Sequence, residues 1–243
     1  MIVTEDPGFE KAVFSEGSPI AVPVQLTVPA DGGEMKILAF SGAVEICRRF
    51  EELYASDPLS EEAIAFLCRE LSPVYAPFGY DEIDGEDYPL LDFRPGEGYI
   101  PLPAPDCEIV PTLDGERWDE DLPLDEFRLD PGDPLDRMAV VRDGDGRIVC
   151  FAGLNDISED EGFCELSVEC APAFRGRGFG PACASQLTAY LLARGAKVQY
   201  VTSCRNEESV RCAEKAGFTL ANAVYPIVFR KSGEDDAAFF DFT

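Results

Sequence analysis

Apolar and polar positions alternate most regularly in the C-terminal half of the chain. Arg137–Arg142 and Arg147–Leu154 are alternating or continuous apolar runs, and Asp143-Gly144-Asp145-Gly146 between them is turn chemistry. Together they predict a β-hairpin. A third strand is predicted at Phe163–Cys170, after the acidic turn Ser158–Gly162. Cys183, Leu187 and Leu191 then recur at every fourth position and predict a helix over Pro181–Arg194, closed at Gly195. Lys197–Cys204 reads as a further strand, carried by Val198, Tyr200 and Val201. Asn206-Glu207-Glu208 has the form of a cap followed by first-turn acids, opening a helix that ends at Ala216-Gly217. Two short strands, Phe218–Leu220 and Tyr225–Arg230, are predicted last.

The N-terminal half is less regular. Ile20–Val28 and Met35–Phe40 are apolar pieces, and Ala43–Tyr54 and Ser60–Leu71 are helix-like, the second opened by Ser60-Glu61-Glu62. From Ser72 to Pro105 the composition shifts to Pro, Gly and acids and predicts a loop. Its acids Asp81, Glu82, Asp84, Glu86 and Asp87 lack the DxDxDG spacing with a closing Glu that a calcium loop needs, so a solvated acidic loop is expected. The tail Ser232–Thr243, with Phe239, Phe240 and Phe242, reads as an extension.

Composition narrows the function classes. The 243 residues carry a formal charge of −27, which argues against a nucleic-acid partner, since affinity for phosphate backbones comes from clustered Lys and Arg. That charge is uneven. Residues 1–136 hold 32 acids and 8 bases, a net of −24, whereas residues 161–231 hold 6 acids and 9 bases, a net of +3. An anionic ligand fits the second stretch. The acidic half is either a solvated surface or an attractor for a cationic substrate such as an amine. With no histidine, Ser-His-Asp and Cys-His catalysis and any imidazole-dependent metal site are excluded, and no metal site is predicted. Nine cysteines without a CxxC pair, several of them in apolar segments, read as reduced core residues. The N-terminus lacks a basic start followed by an apolar run, and no apolar stretch is long enough to span a bilayer, so a cytoplasmic location without membrane contact is expected.

One stretch stands out: Arg175-Gly176-Arg177-Gly178-Phe179-Gly180, between the Cys164–Cys170 strand and the next helix. Closely spaced glycines let the backbone turn tightly and bring N–H groups up to a ligand. At the start of a helix those N–H groups and the dipole favour a phosphate. The spacing is not that of a dinucleotide fingerprint, because Pro181 stands where its third glycine belongs, nor that of a P-loop.

Arg175-x-x-Gly178-x-Gly180 instead resembles the [Q/R]-x-x-G-x-[G/A] signature of the GCN5-related N-acetyltransferase (GNAT) superfamily. The surrounding order is similar as well: hairpin, strand, signature, helix, strand, then Asn206-x-x-Ser209 and Ala216-Gly217-Phe218. The resemblance covers residues 106–231 and leaves residues 1–105 as an acidic N-terminal α/β extension of unassigned role, with 232–243 as a tail. It implies an α/β (α+β) fold with a mixed, mostly antiparallel sheet flanked by helices, whose central strands splay to admit acetyl-CoA. The pyrophosphate would sit on the backbone N–H groups of Arg175, Gly176, Arg177, Gly178, Phe179 and Gly180. The pantetheine arm would pair with Val168 and Cys170 and be bonded by the Asn206 side chain, with Ser209 nearby.

The reaction implied is direct attack of a primary amine on the thioester, with Glu165 as the base, directly or through a water, and Glu169 in reserve. Relatives place a thiolate-protonating tyrosine five residues before the phenylalanine of the Gly-Phe pair, where this chain has Ala213. Tyr190, Tyr200 or Tyr225 would substitute only if the fold brings one near, and Cys212 is adjacent only in sequence. The resemblance thus implies an acetyl-CoA-dependent N-acetyltransferase for a small-molecule or protein amine, its acceptor site covered by the acidic half. The alternative is a catalytically silent acyl-CoA-binding module whose acidic half recruits a partner. The resemblance implies that acceptor specificity lies in the acidic, proline-rich stretch Pro111–Asp136 or in the N-terminal half.

Overall fold

Strands β1 (Ile2–Glu5), β2 (Ile20–Pro29) and β3 (Lys36–Ala39), with helix α1 (Pro7–Glu16), build the beginning of the chain. Helices α2 (Val44–Tyr54) and α3 (Glu61–Tyr75) follow, and then strands β4 (Tyr80–Asp84), β5 (Leu90–Pro95) and β6 (Cys107–Val110). The remaining elements are β7 (Met138–Arg142), β8 (Ile148–Ser158), β9 (Phe163–Cys170), α4 (Phe179–Leu192), β10 (Lys197–Ser203), α5 (Glu207–Lys215) and β11 (Phe218–Lys231). The computed structural model describes residues 1–84, 89–104, 106–158 and 163–232. The expectations for Glu86 and Asp87, for the 159–162 part of the acidic turn, and for Phe239, Phe240 and Phe242 lie outside the described residues.

Contacts divide the chain into two units, Met1–Leu91 with Ser203–Arg205 and Ala221–Thr243, and Asp92–Thr202 with Asn206–Leu220. They divide it differently from the split at residues 105/106 drawn from the sequence. In the first unit the strands lie in the order β1-β3-β2-β11-β4. Alternation along β2 and β3 turns Val24, Leu26, Ile37 and Ala39 into a shared interior with Cys47 and Phe50 of α2 and Leu67, Leu71 and Tyr75 of α3. Ser60 caps α3, its hydroxyl accepting from the Ala63 N–H at 3.3 Å.

The loop expected over Ser72–Pro105 is only partly a loop. Helix α3 continues through Pro73 to Tyr75, and β4 and β5 lie within the stretch. Tyr80 and Phe93 are buried, and these isolated aromatics among acids and prolines hold the two strands where window composition reads as coil. The two short strands expected at the end are one, β11, which runs through Pro226.

The second unit holds the regular pattern. Strands β6, β7, β8 and β9 are antiparallel in that order, and β10 joins β9 in parallel. The expected hairpin is present as β7 and β8, with Gly146 at φ 78° in the turn. Such a parallel pair needs a crossover, which is α4. Cys183, Ala184, Leu187 and Leu191 of α4 are fully buried. On the other face Val110, Met138, Val140, Ile148 and Phe151 pack with Leu122 and Leu124 and with Trp118 and Phe127, so Pro111–Asp136 covers that face with one 3-10 turn, Leu124–Glu126, as its regular structure. The result is a mixed α/β fold, mostly antiparallel and flanked by helices.

Candidate active site

The ladder between β9 and β10 has three rungs: Lys197↔Phe163, Val198↔Cys164 and Gln199↔Glu165. Beyond Glu165 the two strands part, while β9 stays paired with β8 as far as Cys170↔Cys150. Antiparallel partners alternate between pairs that exchange hydrogen bonds and pairs that do not. The Ala171 N–H donates to the Val149 carbonyl at 2.9 Å, so the bonded pairs to β8 fall on odd-numbered residues of β9. The N–H and C=O groups of Val168 and Cys170 therefore point away from β8, along the open edge. Arg175 already uses one of them, its Nε donating to the Cys170 carbonyl at 3.0 Å.

Gly176 and Gly178 sit at φ 76° and 85°, a conformation that L side chains rarely adopt, and Gly178 is the N-cap of α4. Among the described residues, no partner takes the backbone N–H groups of residues 176–180, and Pro181, which has no N–H to leave unmatched, completes the first turn. A Cβ built on Gly180 would meet Cys212 Sγ at 3.4 Å and Val168 Cγ1 at 3.5 Å. The start of α4, the open edge of β9 and helix α5 thus converge there. Arg177 lies over the Phe174 ring at 4.9 Å and donates to the Ala173 carbonyl, and Arg175 reaches Glu208 at 3.9 Å. Exposed donors, positive φ and two flanking guanidiniums form a cradle suited to a diphosphate.

Glu165 occupies the last rung before the strands part. Its Oε2 accepts from Gln199 Nε2 at 3.1 Å and its Oε1 from Asn155 Nδ2 at 3.2 Å, which fixes the carboxylate's orientation. Asn155 lies in the β8 bulge between Leu154 and Asp156. Sequence reading did not single out Gln199 or Asn155; the signal available was an amide inside an otherwise apolar strand. Glu169 stands two pairs from Glu165 on the same face, opposite Phe151.

Asn206 caps α5, its Oδ1 accepting the Ser209 N–H at 3.0 Å. The Ser209 hydroxyl is 2.9 Å from the Tyr200 hydroxyl. Tyr200 is the first residue of β10 past the ladder, and burial, more than any neighbouring charge, raises its phenol above the ordinary value. Cys212 beside it is pushed up to about 11 by burial. Ala213 is fully buried and brings no polar group. Of the other tyrosines, Tyr190 donates to the Pro134 carbonyl at 3.0 Å, and Tyr225 belongs to the first unit. The fold thus gathers Glu165, Val168, Cys170, Arg175–Gly180, Asn206, Ser209 and Tyr200 in one unit.

The profile of the acetyltransferase (GNAT) domain matches residues 116–219. The chain carries a GNAT acetyltransferase domain. GNAT domains use acetyl-CoA as cosubstrate. The chain is similar to a GNAT-family acetyltransferase from Novosphingobium aromaticivorans: 22% identity, 60% of this chain and 65% of that one, TM-score 0.42. For an acetyltransferase of the same family from Colwellia psychrerythraea the values are 15%, 65%, 62% and 0.44. For a GCN5-related N-acetyltransferase from Kribbella flavida they are 15%, 80%, 78% and 0.47. The chain spans just under two thirds of the length of the first two, and likeness this distant says nothing of their substrates. No curated protein matches the chain. Among the described residues no cluster of metal-ligating side chains occurs, and no helix is long and apolar enough to cross a membrane.

Proposed function

We propose that the chain is an acetyl-CoA-dependent N-acetyltransferase acting on a primary amine of a small molecule or a protein. The observation that carries this reading is the junction of the parted β9–β10 edge with the unpartnered N–H groups of residues 176–180. The N–H groups of Gly176, Arg177, Gly178, Phe179 and Gly180 would hold the pyrophosphate, whereas that of Arg175, expected from the sequence to join them, is already given to the Pro172 carbonyl at 3.3 Å. The backbone of Val168 and Cys170 and the Asn206 amide would hold the pantetheine arm, which aims the thioester toward Glu165.

Acetyl transfer forms a C–N bond and breaks a C–S bond. The amine must lose a proton and the leaving thiolate must be stabilised or protonated. Glu165, oriented by Gln199 and Asn155, accepts the proton directly or through a water. Tyr200, kept protonated by burial and held by Ser209, donates a hydrogen bond to the thiolate in place of a residue at Ala213. Holding both reactants in line supplies most of the remaining rate. The charge of −27 favours approach of a cationic amine.

The second reading, a silent acyl-CoA-binding module whose acidic half recruits a partner, is favoured by the apolar, buried Ala213. Free-thiol release from acetyl-CoA over a panel of polyamines, aminoglycosides and peptide N-termini separates the two. Amine-dependent release supports the enzyme. Tight acetyl-CoA binding with no release over any amine supports the silent module.

A further inference from the structure

Four cysteines of the second unit lie in series. Cys107 of β6 and Cys183 of α4 bring their sulfurs to 3.9 Å, and the Cys183 thiol donates to the Cys150 carbonyl at 3.8 Å. Cys150 faces Cys170 directly across the β8–β9 ladder. All four are unbridged. The two at the ends, Cys107 and Cys170, are half-buried, while Cys150 and Cys183 are fully enclosed. Thiols in a core are ordinarily inert apolar filler. Here one member of a touching pair is open to reagents and its partner is not, which is the arrangement of an attacking thiol with a resolving thiol behind it. Among the described residues no group of side chains could hold a metal, so a thiolate–metal site is not the reason for the series.

We propose that Cys107 and Cys183 are an oxidation site, at which a peroxide converts the pair into a disulfide that fastens α4 to β6. The Cys107 thiolate attacks the peroxide, giving a sulfenic acid and releasing water. The Cys183 thiol then attacks that sulfur, forming the S–S bond and releasing a second water. Both sulfurs are oxidised, the peroxide is reduced, and two thiols with one hydrogen peroxide yield one disulfide and two waters. The sulfurs must close from 3.9 Å to about 2.05 Å for the bond to form. The contact supports the order of events: it holds the Cys107 thiol below its ordinary pKa and, with Cys150 and burial, holds that of Cys183 above. Within the touching pair Cys107 is thus the more acidic thiol and Cys183 the one that holds its proton. Because α4 opens at the glycine cradle, the bond ties the cradle's helix to the edge strand.

The test treats the full folded chain with a small excess of hydrogen peroxide, removes it, and alkylates in denaturant before mass spectrometry. The expected result is a fall from nine alkylated cysteines to seven, a cross-linked peptide pairing Cys107 with Cys183, and full recovery of nine on reduction. Cys107→Ser should abolish the cross-link, and Cys150→Ser, which leaves the pair intact, should retain it. Sulfinic or sulfonic acid at Cys107 without a cross-link would overturn the proposal, as would nine unreacted cysteines, or a bridge found only between Cys150 and Cys170.

Discussion

Gln199 and Glu165 face each other on the last rung of the β9–β10 ladder, with the amide donating to the carboxylate at 3.1 Å. One residue further along, the strands have parted, so the carboxylate sits at the apex of the opening while both its oxygens are already engaged. A base in that position is aimed before any substrate arrives, and its orientation depends on Gln199 and Asn155.

Glu165→Gln should therefore lower kcat by about 10²-fold or more while leaving acetyl-CoA affinity unchanged. Steady-state kinetics beside calorimetry read the two effects separately. Unchanged turnover would remove Glu165 from the mechanism.

Tyr200→Phe removes one hydroxyl and keeps the ring packed against Phe218, whose centroid lies 5.8 Å away. Turnover should fall by about 10²-fold, as for the loss of one donor to developing negative charge. An acetyl donor with a more acidic leaving thiol should recover most of the loss, because a better leaving group needs less help. An equal loss for both donors would make the residue structural.

Asn206 holds two assignments that one substitution separates. Its Oδ1 caps α5, a role Asp performs equally well, whereas the amide N–H expected to meet the pantetheine arm is lost in Asn206→Asp. That variant should keep the wild-type melting temperature and bind acetyl-CoA about tenfold more weakly, whereas Asn206→Ala should also lose about 1 kcal/mol of stability. Undiminished affinity in both would leave Asn206 as a cap alone.

How much of this was legible in the sequence follows from where the signals lie. The glycine run, the strand Phe163–Cys170 and the Asn206 cap are local: turn chemistry, alternation and capping state themselves within a few residues. Gln199 and Asn155 were not legible, because their contact with Glu165 depends on a three-rung register and a bulge. The choice among Tyr190, Tyr200 and Tyr225 likewise needed tertiary placement. Strands β4 and β5 were missed because acids and prolines interrupt their few apolar residues, so composition over the stretch reads as coil. Helix α1 has only a weak apolar stripe, with Val13 its one buried residue among those described.

Alkaline conditions should destabilise the chain. Burial raises Tyr75 and Tyr200 above the ordinary phenol value of 10.0 and pushes the Cys47 and Cys212 thiols up from 9.0 to about 12 and about 11. In each case the folded chain keeps a proton that the unfolded chain gives up. The stability these groups contribute is complete below the ordinary values and lost as pH rises through and above them. The melting temperature should fall as pH rises above about 9. A rise above that pH would contradict the burial of these four groups.

Calorimetric titration of acetyl-CoA into the wild-type chain and into Gly178→Ala tests the central claim most directly. Gly178 has φ 85°, so alanine there costs about 1 kcal/mol and turns the cradle's N–H groups out of line. The expected result is saturable binding of one acetyl-CoA per wild-type chain, raising its melting temperature, and much weaker binding by a variant that still folds. No heat and no thermal shift for the wild type at millimolar acetyl-CoA would contradict the assignment of this site to acetyl-CoA.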